Sequence, residues 1–221
     1  MRPQSSILLV CVLLSGCLSS VSSDYVTFKK VQPAATQKVV QCQAGLVLDS
    51  FQVNSRVAIA AVSPKLLTGY GTPIAIVIVN RSKKPFMVDE QDISLRQDGG
   101  KPVLVTSDRA NTIDNHYTQS HVSAGMVMAL LGGALLAVAH TIDSASVNSI
   151  ADPLTKDVDS ANKTARDRQA AFMRARFRGE YLSPGEATAG YIVVENVKAA
   201  PLVIAIKVGN EVHQFTLLTE G

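Results

Sequence analysis

Side chains that could perform chemistry are few and dispersed in this chain. Its four histidines are His116, His121, His140 and His213. His116 and His121 lie five residues apart without the HExxH or paired-cysteine pattern of a zinc site, which favours solvated loop histidines over a metal centre. Asp89, Glu90 and Asp92 are interpreted as a solvated turn rather than an acid–base pair or a calcium site. No Gly-x-Ser-x-Gly elbow, P-loop or GxGxxG motif is present, so the sequence predicts no catalytic residues, no metal site and no cofactor.

Cys17 is the reactive side chain with the most informative surroundings. An apolar run at 7–14 follows Arg2 and precedes small residues, which is the pattern of a secretory signal. The four residues that close this pattern, Leu14-Ser15-Gly16-Cys17, resemble the lipobox of bacterial lipoproteins. In that family the Cys thiol receives a diacylglycerol, the signal is cut just before the Cys, and the new amino group is acylated.

This resemblance implies an anchor and a location. Residues 1–16 are expected to be a lipoprotein signal peptide, Cys17 to be lipidated, and residues 17–24 to form the lipidated N-terminus and tether. Because two or three acyl chains attach a protein firmly to a bilayer, a membrane is the first expected partner. Leu18 stands where enteric lipoproteins retained at the inner membrane carry Asp, which favours the outer membrane and its periplasmic face over the cell surface. An ordinary secretory signal with a chance Cys is the alternative.

The amino-acid composition narrows the classes of function and partner that remain. The formal net charge is only +3 and the chain has no Trp, which argues against nucleic acid as a partner and against a base-stacking or sugar-binding surface. With Cys11 in the signal and Cys17 lipidated, Cys42 would be the last free thiol, so no internal disulfide is expected. Cys42 itself is interpreted as a small buried apolar residue.

Short apolar runs separated by turn residues dominate both ends of the mature chain. They lie at 46–48, 57–62, 74–79, 86–88, 93–95, 103–105, 181–182, 190–194, 202–208 and 212–218. Their close spacing predicts an antiparallel β-sandwich rather than βαβ units, and Gly209-Asn210 predicts a final hairpin. The run at 73–82 and the Leu-Ser-Pro-Gly-Glu turn at 182–186 resemble immunoglobulin-like sandwich domains of envelope lipoproteins. The resemblance implies one immunoglobulin-like domain over 25–221.

A different pattern interrupts these strands at about 108–180, and we predict a helical insertion with helices within about 121–178. Residues 122–139 are apolar and long enough to span a membrane. Small residues recur every four positions there and form a ridge suited to close helix packing. The ridge residues are Gly125, Ala129, Gly133 and Ala137. A buried or oligomer-packing helix, a membrane-inserted helix and a strand remain the alternatives for this segment.

Arginines concentrate in the second part of the insertion, where 161–177 has helical composition. They are Arg166, Arg168, Arg174, Arg176 and Arg178. They could bind an anionic partner, or they could form an exposed, solubilising helix face.

Together these patterns predict a lipid-anchored cell-envelope protein, not an enzyme, that is a structural or binding component of an envelope assembly. Other envelope proteins are the expected partners, and a homo-oligomer through the ridge is a further possibility. The alternative is a membrane-active, oligomerising lipoprotein whose segment 122–139 inserts in a bilayer. A periplasmic enzyme of unknown chemistry is the third hypothesis.

Overall fold

The computed structural model describes residues 30–42, 45–61, 72–105, 176–197 and 200–218. Twelve β-strands account for most of these residues. Their bounds are β1 Lys30–Gln32, β2 Gln37–Cys42, β3 Gly45–Phe51, β4 Ser55–Ala61, β5 Thr72–Asn80, β6 Phe86–Val88, β7 Ile93–Gln97, β8 Val103–Leu104, β9 Glu180–Leu182, β10 Ala187–Glu195, β11 Leu202–Val208 and β12 Glu211–Leu218. The prediction of a mainly β protein is confirmed.

Three antiparallel sheets contain these strands. The largest has the order β2-β3-β4-β5-β10-β8, the second has the order β1-β12-β11-β7, and β6 pairs with β9 in a small third sheet. The predicted final hairpin is confirmed, because β11 and β12 pair from Leu202 and Leu217 to Val208 and Glu211. This arrangement is compatible with a β-sandwich.

One inner core lies between the two larger sheets. β-branched runs supply it, because alternate residues of a strand share a face. Ile76 of β5 and Ile204 of β11 are both fully buried members of this core, as is Phe215 of β12. Strands on both sides of the 106–175 gap in the description therefore share one core, and β5 pairs directly with β10.

The end of the predicted insertion differs from expectation. We predicted helix through residues 177–178, but Arg176 forms a parallel β-bridge with Tyr191, and the Phe177 N–H donates to the Tyr191 carbonyl at 2.9 Å. Phe177 is 1% exposed and belongs to the inner core. Burial against β10 outweighs the helical composition that precedes it, because tertiary packing overrides a weak propensity.

Several predicted features lie outside the described residues. They are the signal peptide 1–16, Cys17, the tether, the apolar segment 122–139, and the rest of the predicted helical insertion up to 175. In the part of the chain that is described, the single helical element is a 3-10 turn, Glu90–Asp92, and no helix is long and apolar enough to cross a membrane.

Candidate functional site at the loop end of the sandwich

Four turns meet at one end of the sandwich, which we call the loop end. They comprise residues 52–54, 81–85, 183–186 and 209–210. The Arg81 N–H donates to the Asn54 carbonyl at 2.8 Å, and the Gln52 amide donates to the Val212 carbonyl at 2.6 Å. These bonds join turns that are distant in sequence, so the loop end is a single connected surface.

Asn80 fastens two of these turns to each other. Its side-chain amide donates to the carbonyls of Lys84 and Leu182, both at 2.9 Å, and its side-chain oxygen accepts from the backbone N–H and the hydroxyl of Ser82. Its backbone N–H donates to the Glu186 carbonyl at 2.9 Å. The two sequence motifs that resembled immunoglobulin-like domains, at 73–82 and 182–186, are therefore in direct contact.

A buried polar network lies just beneath the loop end. His213 of β12 is fully buried, and its Nε2 and Nδ1 lie 2.8 Å from the Ser55 Oγ and 2.9 Å from the Ser50 Oγ, respectively. The Ser55 hydroxyl also donates to the Glu211 carboxylate, which accepts the Asn54 backbone N–H at 3.0 Å. His213 thus connects the four-stranded sheet to β3 and β4 of the six-stranded sheet.

The hydrogen-bond partners determine where the protons of Ser55, His213 and Ser50 lie. An ionised carboxylate can only accept, so the Ser55 proton points to Glu211 and the Ser55 oxygen accepts from the His213 Nε2–H. The Nδ1 of His213 then accepts the Ser50 hydroxyl proton. When His213 is neutral, every hydroxyl and every ring nitrogen in this network has a hydrogen-bond partner.

The two titratable groups of the network have shifted pKa values. Burial lowers the pKa of His213 to about 4, although the nearby Glu211 charge acts in the opposite direction. Burial raises the pKa of Glu211, but hydrogen bonds from Ser55 and Asn54 outweigh it, so the pKa is lowered overall. Near neutral pH the network therefore holds a neutral imidazole beside an ionised carboxylate.

This network does not have the arrangement of a serine nucleophile. In that arrangement the base takes the hydroxyl proton and the carboxylate orients the base. Here the carboxylate binds the hydroxyl of Ser55 directly, and both Ser55 and His213 are at most 1% exposed. The geometry instead indicates a structural role, in which the hydrogen bonds of His213 hold the two sheets together.

A second buried polar pair lies on the opposite face of the six-stranded sheet. The Arg56 guanidinium donates to both carboxylate oxygens of Asp49, through Nε at 2.8 Å and through Nη2. The same guanidinium lies 4.3 Å from the centre of the Phe51 ring. A bidentate, hydrogen-bonded geometry of this kind offsets the cost of burying two charges.

The surface of the loop end combines apolar and basic side chains. Val53 is 84% exposed and Val212 is 54% exposed. The turn 81–85 and the strand beside Val212 carry exposed basic residues, and these are Arg81, Lys83, Lys84 and Lys207. The Glu186 carboxylate accepts the Ser183 N–H of its own turn, and the Glu211 carboxylate accepts the Asn54 N–H of the neighbouring turn. The loop end therefore presents exposed apolar and basic side chains on turns that are hydrogen-bonded to one another.

Of the five arginines that were predicted as a possible anion-binding set, the structure describes Arg176 and Arg178. Arg176 is buried, its guanidinium donates to the Val105 carbonyl, and its Nε lies 3.7 Å from a Glu90 carboxylate oxygen. This position connects the two ends of the insertion and does not place Arg176 on an exposed helix face. Arg178 is exposed. The remaining predicted residues Arg166, Arg168, Arg174, Gly125, Ala129, Gly133 and Ala137 lie outside the described residues.

The acidic cluster forms a turn. Asp89 caps the 3-10 turn through a reciprocal capping box with Asp92. Among the described residues there is no group of three or more His, Cys, Asp or Glu side chains that could hold a metal ion.

Sequence reasoning missed the His213 network. The pattern contained a usable indication, because His213 alternates in phase with the apolar residues Phe215 and Leu217, which points a histidine into the core. The partners Ser50 and Ser55 come from strands more than 150 residues earlier, at separations of 163 and 158, and nothing local indicates that contact.

Comparison of the chain with protein-family models, curated proteins and solved structures finds no match.

Proposed function

We propose that this chain is a lipid-anchored protein of the cell envelope that acts as a binding or structural component, with the loop end as its partner-facing surface. The lipobox-like sequence ending at Cys17 supports the anchor, and the rigid, exposed loop end supports the binding surface. The partner that complements this surface is another envelope protein with an acidic patch around an apolar contact.

The position of β1 is the observation that carries this proposal. Lys30 pairs with Leu218 at the end of β12, whereas the loop end contains the start of β12 at Glu211. A tether from Cys17 would therefore enter the sandwich at the end opposite the loops. Residues 18–29 span at most roughly 40 Å when fully extended, and β12 adds about 25 Å at 3.3 Å per residue.

These distances permit an anchored orientation in which the loop end is directed away from the membrane. With Cys17 in the periplasmic leaflet of the outer membrane, the proposed orientation turns the end carrying Lys30 toward the membrane and the end carrying Val53 away from it. Exposed apolar and basic side chains are then available to a protein partner across the envelope space.

We also propose that the sandwich is immunoglobulin-like, as the motifs at 73–82 and 182–186 suggest. Facing antiparallel sheets and the Asn80-centred corner support this assignment. The meander β2-β3-β4-β5 departs from the usual strand order of that fold, in which the third strand lies in the opposite sheet from the first two.

Labelling of the anchor tests the first part of the proposal. Cells that express the chain are fed an alkyne analogue of palmitate, and the purified protein is examined for label. The wild-type chain is expected to be labelled and membrane-bound, and Cys17→Ser is expected to lose the label. Cys42→Ser is the matched control and should keep it. Equal labelling of wild type and Cys17→Ser would contradict the anchor.

Site-specific photo-cross-linking in cells tests the second part. A photoreactive amino acid replaces Val53 at the loop end, and Arg96, exposed on the outer face of the four-stranded sheet, provides the control position. A discrete protein adduct is expected from position 53 and not from position 96, and Lys83→Glu with Lys84→Glu should weaken it. Adducts of equal strength from both positions would remove the loop end as the binding surface, and adducts with lipid alone would assign it to a membrane.

A further inference from the structure

Exposed apolar side chains of the described residues are concentrated near the loop end. The exposed large hydrophobic residues in the described part of the chain are Val39, Val53, Met87, Val103, Tyr181 and Val212. Val53 and Val212 belong to the loop end. Met87 and Tyr181 lie beside it, because β6 begins after the turn 81–85 and β9 ends before the turn 183–186.

Met87 and Tyr181 form one apolar patch on the small third sheet. Strand register places them directly opposite each other across β6 and β9. Opposite residues of an antiparallel pair share a face, with their Cβ atoms about 5 Å apart. Met87 is 50% exposed and Tyr181 is 61% exposed. We call this pair the side patch.

The side patch has an ordered backing. Alternation along the strands turns the neighbouring residues inward, where Val88 and Leu182 are buried in the inner core and Phe86 packs against it. Asn80 fixes the sheet on the side of the loop end, since its side-chain amide donates to the carbonyls of Lys84 and Leu182. A partner therefore meets apolar side chains whose backbone is already ordered, which lowers the entropy cost of binding.

Met87 lies close to the backbone of the segment that precedes β9. A Cβ added at Gly179 would lie 3.1 Å from the Met87 Cε and 3.5 Å from the Val88 carbonyl oxygen. The lack of a side chain at Gly179 thus leaves space for Met87 to lie along the surface. Met and Tyr are both enriched in protein interfaces, and Tyr is among the residues that most often dominate the binding energy.

Charges around the side patch are unevenly distributed. Lys83 and Lys84 are exposed on the turn that leads into β6, and the Ser82 hydroxyl donates to the Lys84 carbonyl at 2.6 Å. Glu180 is exposed at the other end of the patch. The side toward the loop end is therefore positively charged and is complemented by negative charge on the partner. A second copy is a poorer match than an acidic protein, since the chain itself has a formal net charge of +3.

The spacing of these features defines the segment that fits them. Lys84 and Met87 are three residues apart, and three residues of extended chain span roughly 10 Å. An extended partner segment therefore reaches both features with an acidic and an apolar residue about two to four positions apart.

We propose that the side patch is the apolar anchor of the partner interface and that it binds an extended acidic segment of the partner protein. This role rests on the proposed function and adds to it the position of the main apolar contact and the chemistry of the bound segment. The interface then runs from the loop end onto the face of the small sheet, so that Val53 and Tyr181 contact the same partner.

Photo-cross-linking in cells at position 181 tests this role. A photoreactive phenylalanine analogue replaces Tyr181 in the full-length chain, and positions 53 and 96 are repeated in parallel. Positions 181 and 53 are expected to give adducts with the same protein, and position 96 is expected to give none. Mass spectrometry of the adduct from position 181 is expected to identify a partner peptide in which acidic and apolar residues are close in sequence.

A substitution in the side patch measures its contribution to binding. With the photoreactive residue at position 53, Tyr181→Ala is expected to reduce the adduct at least about fivefold, because truncation of a Tyr anchor removes a large share of the binding energy. Val103→Ala is the matched control, since it replaces another exposed apolar side chain, in β8, and it should change the adduct less than about twofold. Circular dichroism of both variants checks that the sandwich remains folded.

Failure of the side patch is distinguishable from failure of the proposed function. An adduct from position 53 that survives Tyr181→Ala, with none from position 181, overturns the side patch and leaves the loop end as the binding surface. The lack of a protein adduct from either position overturns the proposed function and the side patch with it. An adduct from position 181 without one from position 53 supports the side patch and removes Val53 from the interface. An adduct from position 181 with lipid, with a second copy of the chain or with a peptide that lacks acidic residues overturns the proposed occupant.

Discussion

His213 shows how a single buried side chain can fasten two sheets while making the fold sensitive to acid. Its neutral ring accepts from Ser50 and donates to Ser55, and a second proton would have to displace the Ser50 hydroxyl bond. The ring is fully buried, so the charge would also lack solvation.

The pH dependence of stability follows from this arrangement. The pKa of His213 is lowered to about 4 in the folded chain, whereas the unfolded value is about 6.5. Between these values the unfolded chain binds the proton more tightly, so the free energy of unfolding falls as pH falls from about 6.5 to about 4, by about 3 kcal/mol in total. We expect His213→Gln to be less stable at pH 7 and to have a shallower pH dependence in chemical denaturation.

The comparison contains its own control. His116, His121 and His140 are present in both proteins, so the difference between the two curves reports the loss of His213 together with its effect on Glu211. Curves that stay parallel across this pH window would show that His213 is not the group responsible.

Asn80 gives a second prediction at the residue scale. Asn80→Ala removes the donors to the Lys84 and Leu182 carbonyls, and unsatisfied buried polar groups cost about 1–3 kcal/mol each. We expect a loss of about 3 kcal/mol in urea denaturation. Ser82→Ala, which removes only part-buried bonds, should lose about 1 kcal/mol. Similar losses for the two variants would refute a central role for Asn80.

The Asp49–Arg56 ion pair gives a third prediction at the residue scale. Arg56→Met leaves a buried carboxylate without its partner, which costs about 3–5 kcal/mol. Adding Asp49→Leu removes that charge and should recover most of the lost stability. A double variant no more stable than Arg56→Met alone would mean that packing around Phe51, and not the ion pair, sets the cost.

At the scale of elements, Gly190 permits the close contact between β10 and the described residues 176–177. A Cβ added at Gly190 would lie 2.5 Å from both the Cα and the N of Phe177, so the backbone at 176–177 packs directly on β10. Only a residue without a side chain permits this approach.

We therefore expect Gly190→Ala to displace residues 176–177 from β10 and to destabilise the fold by more than about 2 kcal/mol. Gly99→Ala is the control, since its site is open but its φ is +65°, and the left-handed conformation alone costs about 1–2 kcal/mol. Thermal unfolding of both variants tests this prediction. Equal shifts in the unfolding temperature would argue against the backbone contact at Gly190 as the cause.

The elements with a local signature could be predicted from sequence. The alternation and β-branching of 74–79 and 202–208 gave strands β5 and β11, and Gly209-Asn210 gave the hairpin turn. Arg176 and Phe177 could not be predicted, because their extended conformation depends on contact with Tyr191 and Gly190 of a later strand. Long-range contacts of this kind leave no periodic trace in the local sequence.

At the scale of the whole molecule, the two strand regions behave as one core. Ile76 precedes the insertion and Ile204 follows it, and both are fully buried in the same cluster. Ile76→Asp and Ile204→Asp are each expected to abolish the single cooperative unfolding transition of the whole domain, since a buried unpaired charge costs several kcal/mol. Circular dichroism and limited proteolysis check this, and two separately folded halves would contradict it.

The pairing of β1 with β12 has a consequence for how the protein is made. The first strand of the described fold is hydrogen-bonded to the last, from Lys30 and Leu218 to Gln32 and Thr216. A chain that emerges from the ribosome, N-terminus first, holds β1 without this neighbour until β12 has emerged. Folding of the four-stranded sheet is therefore postponed until residues 211–218 are available, and chaperones and proteases first meet the chain with β1 unpaired.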